Sequence, residues 1–267
     1  MSASVSEPTN AAASKAFDGK VEFVQAHEAE TSDVEANKRA AEVFETYALQ
    51  RGAHFGLPRE RSSATFLFGS AAAAVLDAAA APGVCAVVLA SHGRGGFRAA
   101  VFGSVADRII RGASIPVLVV PGVGGPTTEI GEVLVTLDGS RVAEGALESA
   151  RKIARALGAR LSLLEAYSLF TPMATGYAYY PPEIPQELTD AAREYIKATA
   201  QAGERGLVVQ GDAATGIVAA ANDLDADLVV MSSHGKGFSK RFIIGSTTER
   251  VLHELHRPLL IMPPESG

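Results

Sequence analysis

Short unbroken runs of apolar residues alternate along this chain with longer alanine-rich stretches whose polar positions recur at helical spacing. The pattern is clearest in the C-terminal half. GEVLVTL (131–137) is a β-branched and leucine run closed by Asp138 and Gly139, and Ser140 then opens a helical pattern that reaches about Leu157. LSLLEAY (161–167) reads as the next strand, and the prolines and glycine of SLFTPMATGYAYYPPEIP exclude regular structure until a helix begins near Glu187. GLVVQ (206–210), a helix from about Ala213 to Asn222, ADLVVMS (226–232), a glycine-rich loop, a helix from about Ser246 to His253 and RPLLIM (257–262) complete the half. Strands that alternate with helices, several of them wholly apolar, predict a mainly parallel sheet covered on both faces. Ligands are expected beyond the carboxyl ends of its strands.

The same order occurs earlier. VVLASHGRGGFRAAVFGSVADRIIRGASIPVLVVP (Val87 to Pro121) returns as VVMSSHGKGFSKRFIIGSTTERVLHELHRPLLIMPP from Val229, displaced by 142 residues without a gap. The offset still fits from Thr65 to Ala78. A shift of two residues then sets KVEFVQAH (20–27) on RLSLLEAY (160–167), and AAASKAF (11–17) on the end of the second copy's first helix. A repeat of this size is one domain rather than a solenoid module. The fold class predicted is therefore α/β, two tandem doubly wound five-strand parallel-sheet domains at 1–122 and 131–267 joined by a linker at 123–130. On this register the partner of Asp138 falls before Met1, so the first domain is expected to lack its opening strand, whether those residues are missing, replaced by SASVS, or dispensed with by pairing other strands. IPVLVV (115–120) and RPLLIM (257–262) are short, apolar and carry proline near their starts, which suits sheet edges. Two such edges protect each other by pairing, which predicts an internal pseudo-dimer.

Composition narrows the class. An apolar share of 47% with 20% charged residues is ordinary for a globular protein. A net charge of −6 argues against a nucleic-acid partner, which needs a concentrated basic surface. MSASVSEPTN has neither the basic start nor the apolar core of a secretory leader, and no run is long enough to span a bilayer, so no membrane partner is expected. Cys85 is the lone cysteine, which excludes an intrachain disulfide and fits a cytoplasmic protein. Its place before VVLA predicts a packed thiol.

Each glycine-rich loop runs from a strand to a helix whose first amides and positive dipole end suit a polyphosphate. Gly235 allows a sharp turn off the strand. Gly245 with Ser246 begins the helix, Ser246, Thr247 and Thr248 add hydroxyl donors, and Lys236 offers a charge. The same loops, Ala90-Ser-His-Gly93 to Gly103-Ser104 and Ser232-Ser-His-Gly235 to Gly245-Ser246, resemble the G-2x-G-9x-G-(S/T) pattern of universal stress proteins. The likeness covers nearly all of 131–264 and about two thirds of the first copy. Members of that family carrying the pattern typically bind ATP. The resemblance therefore implies a stress-response regulatory protein that holds ATP or a related adenine nucleotide, with or without magnesium, in its second domain. It places Asp138 at the adenosine end of the nucleotide and Met231 and Ala166 at the adenine and ribose walls. Ala90 and Ser232 stand where the family has its first glycine. Gly93, Gly103 and Ser104 form a weaker second site, and there helix-start chemistry with Ser104 as N-cap is the plainer reading.

Plainer readings accompany the other residues. Asp138, Gly139 and Ser140 also suit a turn and cap. His92 and His234 read as hydrogen-bonded turn residues rather than metal ligands, and no metal site is expected. His253 and His256 complement a helix dipole. Tyr177, Tyr179 and Tyr180 lie in a connection that reads as surface more readily than as a lid. No nucleophile elbow, Walker loop or paired cysteine supports catalysis. The alternatives to nucleotide regulation are a nucleotide-independent scaffold serving an unknown protein partner, and a weak ATPase.

Overall fold

A computed structural model describes residues 19–27, 33–54, 56–90, 103–121, 129–167, 183–234 and 244–263. In chain order the first copy supplies β1 (Val21–His27), α1 (Val34–His54), β2 (Ser62–Phe68), α2 (Ala71–Ala79), β3 (Val87–Ala90), α3 (Ser104–Gly112) and β4 (Val117–Val120). The second supplies β5 (Glu132–Leu137), α4 (Arg141–Leu157), β6 (Arg160–Tyr167), α5 (Glu183–Thr199), β7 (Arg205–Gln210), α6 (Ala213–Asp223), β8 (Leu228–Ser232), α7 (Ser246–Glu254) and β9 (Leu259–Met262). This is the α/β alternation expected, with α5 beginning four residues earlier than Glu187.

Two compact units result. One holds the chain up to Ile130 together with His256–Pro263, the other Gly131–Leu255. The second unit carries four parallel strands in the order β8-β5-β6-β7. Its core is the run expected from the apolar pattern: Val133, Leu134, Val135, Leu163, Leu164, Val229 and Val230 are all fully excluded from solvent. Helix α4 lies over β5, β8 and β6 and buries Ala143, Ala146, Leu147, Ala150, Ile153 and Ala154. Its ends follow from local chemistry. Ser140 accepts a hydrogen bond from the Ala143 amide, and Gly158 takes the left-handed conformation (φ 68°) after the last turn. The buried face of α4 also carries Arg151, whose guanidinium is 8% exposed and reaches both Glu204 oxygens at 2.8 and 2.9 Å and the Thr199 carbonyl at 2.8 Å. Arg151 holds the Glu204 carboxyl below the usual range, chiefly by hydrogen bonding. Close helix–strand approach is set at Gly216, where a Cβ would lie 2.9 Å from Val209 Cγ1.

The first unit is built differently. Strand β1 pairs in parallel with β2, and β3 with β4, but no strand stands between β1 and β3 among the described residues. The fifth strand of the second copy, β9, belongs to this unit rather than to 131–255. It runs antiparallel to β4, with Val117 opposite Ile261, Leu118 opposite Leu260 and Val119 opposite Leu259. The last strands of the two copies therefore pair, as the edge argument requires, and that ladder is what draws β9 across. Helix α1 starts at Asp33, whose carboxylate accepts from the Glu35 and Ala36 amides at 3.0 Å. Of its 21 residues only Ala48 and Gly52 are buried. Cys85 is exposed, contrary to expectation, because the buried run begins two residues later at Val87.

Candidate functional site

Pairing in the second unit brings the expected strand ends together. Strands β5 and β8 align Val135 with Val230, and β5 and β6 align Leu137 with Glu165. Continuing both registers sets Asp138 level with Ser233 on one side and with Ala166 on the other. Asp138 is half-buried, and one of its oxygens accepts the Ser140 amide at 3.0 Å. Gly139 turns with φ 73°. The turn-and-cap reading of Asp138, Gly139 and Ser140 is thus present in the geometry, at the carboxyl edge of the sheet.

The start of α7 is held against the end of β8 by a short lock. The Gly245 amide donates to the Ser233 carbonyl at 2.8 Å, the Thr248 hydroxyl to the Ser232 carbonyl at 3.1 Å, and the Ser232 hydroxyl to the His234 carbonyl at 2.6 Å. Ser232 and Thr248 are therefore buried and turned inward, at 8% and 3% exposure. The Ser232 side chain, which stands where glycine is usual, folds back on its own turn. Ser246 is exposed and Thr247 half-buried, while Met231 is packed in the core and Ala166 is half-buried at its strand end.

His234 is buried in the same junction. Its Nδ1 is 2.9 Å from Ser233 Oγ, and Nε2 is buried with no hydrogen-bond partner among the described residues. Burial pushes its pKa down, so the neutral ring is the folded form. The contact with Ser233 is that of a hydrogen-bonded turn histidine.

How the helices begin separates α7 from its neighbours. Helix α4 is capped by Ser140, and α6 by Asp212, which accepts the Thr215 amide at 3.0 Å. The N-cap of α7 is Gly245, which has no side chain with which to cap the first amides of the helix. A Cβ on Gly245 would meet the Ser233 carbonyl oxygen at 3.4 Å, an ordinary contact, so packing alone does not demand glycine there. The Asp212 carboxylate, besides capping α6, pairs with Arg250 of α7 at 2.6 Å. The Thr215 amide, ahead of Arg250, holds its pKa down to about 2.

Among the described residues the first copy repeats the helix start without a counterpart of β5 beside it. The N-cap of α3 is Gly103, again without a side-chain cap, and Ser104 is the exposed first residue of the helix. Ser104 is therefore not the cap, because the chain is already helical there. Gly93, Gly235, Lys236, His92, Tyr177, Tyr179 and Tyr180 lie outside the described residues. Among the described residues no helix is long and apolar enough to cross a membrane.

Comparison with known proteins agrees with this arrangement. A universal stress protein of Thermus aquaticus is 32% identical over 133 residues, which are 49% of this chain and 96% of that protein. One from Mycobacterium tuberculosis is 28% identical over 180 residues, 66% of this chain and 60% of the relative. Among solved structures, a universal stress protein from Archaeoglobus fulgidus superposes with a TM-score of 0.67 at 20% identity, covering 93% of this chain and 89% of that one, a likeness of fold. The model of the universal stress protein family matches residues 4–121 and again 129–263, and with both halves of the repeat so matched, the chain belongs to that family.

Proposed function

We propose that the second unit binds an adenine nucleotide, ATP or a close relative, and that the protein acts as a nucleotide-responsive regulator in stress physiology. The observation that carries this reading is the start of α7. Among the starts of α4, α6 and α7 in that unit it alone has a glycine N-cap, which offers its amides no side-chain oxygen, and it stands at the carboxyl edge of a parallel sheet. Free amides and the positive end of the helix dipole favour a phosphate.

In this reading the Ser246 and Thr247 amides and the Ser246 hydroxyl hold phosphate oxygens. Asp138 and Ala166 face the nucleoside from the ends of β5 and β6. Ser232 and Thr248 hold the loop to the strand rather than the ligand, since their hydroxyls are already committed. Gly235 and Lys236 remain proposed phosphate contacts on the sequence pattern alone. A magnesium ion would enter bound to the phosphates. ATP supplies charge and a hydrolysable bond, and the chain's own groups bind and orient it.

Thermal shift and calorimetry with ATP, AMP and cyclic AMP test the proposal. Ligand at 100 times its dissociation constant raises stability by about 2.7 kcal/mol. Gly245→Leu abolishes the shift, whereas Gly245→Ala, which the local packing accommodates, preserves the unliganded melting temperature. Melting unchanged by every adenine nucleotide overturns the proposal and leaves the nucleotide-independent scaffold.

A further inference from the structure

Helices α6 and α7 follow β7 and β8, strands that run parallel in one sheet, so both helices start at its carboxyl edge. They also pack on each other. One side chain spans the two starts. Arg250, in the second turn of α7, reaches the N-cap of α6, with its Nη1 2.6 Å from Asp212 Oδ2. The other Asp212 oxygen accepts the Thr215 amide at 3.0 Å and the Thr215 hydroxyl at 2.8 Å. Beyond Asp212, the guanidinium makes only a long contact with Glu254, at 3.5 Å, among the described residues. Both members of the main pair are exposed, at 47% and 51%. Water screens such a pair and two side chains lose freedom in forming it, so it is readily exchanged. Arg250 is also the only lysine or arginine on either helix. It lies four residues after Ser246, and on a helix such side chains meet, the later one able to lean back over the earlier turn. That turn is the glycine-led start of α7.

We propose that Arg250 is a phosphate-binding residue of the second unit, which exchanges Asp212 for phosphate oxygens when a nucleotide binds and so makes the site prefer ATP to AMP. The proposal rests on the nucleotide reading above and adds to it the residue that selects for the length of the phosphate chain. A guanidinium can grip a phosphate through two parallel charge-assisted bonds, and a triphosphate carries more negative charge than the single carboxylate it displaces. With AMP the gain is smaller, because Coulomb attraction scales with the charge of the ligand. Asp212 has a separate task as the cap of α6, so losing Arg250 leaves its bonds to Thr215 in place. The repeat supplies an internal control. At the displacement of 142 residues, Arg108 of α3 corresponds to Arg250, while Ser70 stands where the second copy has Asp212.

Calorimetry on the full chain in magnesium-free buffer, with ATP and AMP as the ligands, tests the proposal. Arg250, Asp212 and Arg108 are all exposed, so their variants are expected to fold. Arg250→Gln weakens ATP about tenfold and AMP by no more than about twofold, a change of ratio that a merely structural role would not produce. Arg250→Lys recovers part of the ATP affinity, because it restores the charge without the planar fork. Asp212→Asn tightens ATP several-fold, since asparagine still caps α6 but no longer competes as an ion for Arg250. Arg108→Gln removes the same charge from the first copy and leaves ATP binding unchanged. Equal weakening of ATP and AMP by Arg250→Gln, no weakening, an equal loss from Arg108→Gln, or no gain from Asp212→Asn overturns the proposal and leaves the nucleotide reading standing. A parent chain that binds neither ligand overturns both.

Discussion

The two copies of the repeat share a loop pattern and differ in the strand beside it. In the second, β5 has a neighbour on each side and no residue more than 7% exposed. In the first, β1 has one neighbour among the described residues and only Ala26 of its seven residues is buried. Among the described residues, four of the five large exposed apolar side chains, Val34, Val43, Tyr47 and Phe68, are also in the first copy. The glycine-capped helix start survives in both, at Gly103 and Gly245. A repeated loop is therefore not equivalent to a site. In the proposed site the helix-start amides belong to the loop and helix, whereas Asp138 comes from the end of the neighbouring strand, and among the described residues only the second copy has that strand.

Breaking the second copy's buried ion pair should have the largest effect. Glu204→Ala leaves the Arg151 guanidinium, in a site 8% exposed, with only the Glu148 carboxylate at 3.0 Å and the Thr199 carbonyl, and is expected to cost about 3–5 kcal/mol, read from denaturant unfolding. The pair also sets a pH dependence. Because the folded Glu204 pKa is lowered, its contribution is complete above the ordinary carboxyl range and declines as pH falls through the lowered value, a slope Glu204→Gln removes.

Matched truncations sharpen the contrast directly. Leu163→Ala in β6, fully buried, is expected to cost about 2–5 kcal/mol. Phe23→Ala at the equivalent position of β1 removes a larger but half-buried ring and is expected to cost less than Leu163→Ala in the same unfolding experiment. An equal or greater loss at Phe23 would show that the first copy is as well sealed as the second. Smaller still is Ser140→Ala, which removes the α4 cap and should cost about 1 kcal/mol. The smallest effect is at Asp212, whose carboxylate is exposed. With its pKa held at about 2, its contribution persists through mild acid and is lost only as pH falls toward 2, and Asp212→Asn flattens that last part of an acid unfolding curve.

Much of the second copy is legible in the order of its residues. Strands β5 and β8 are nearly continuous apolar runs with every residue buried, and buried parallel strands leave that signature because both faces are covered. Gly139 and Ser140 mark the start of α4, and the short apolar last strands imply their own pairing. The long helix α1 leaves no such mark. Most of it faces solvent and only Ala48 and Gly52 are buried, so its apolar stripe is narrow, and Gly52 marks one close approach, where a Cβ would lie 3.3 Å from the Phe23 ring. The inward turn of Ser232 and Thr248 is equally hidden, since a hydroxyl's direction depends on which carbonyl the fold brings near it.

Local chemistry, written in the order of residues, thus determined where strands, caps and the glycine-led helix start would fall, because each depends on neighbours in the chain. Which hydroxyls the fold commits to its own carbonyls and which strand β9 joins were decided by tertiary structure. Those outcomes depend on hydrogen-bond partners and ladder edges supplied by residues far away in sequence.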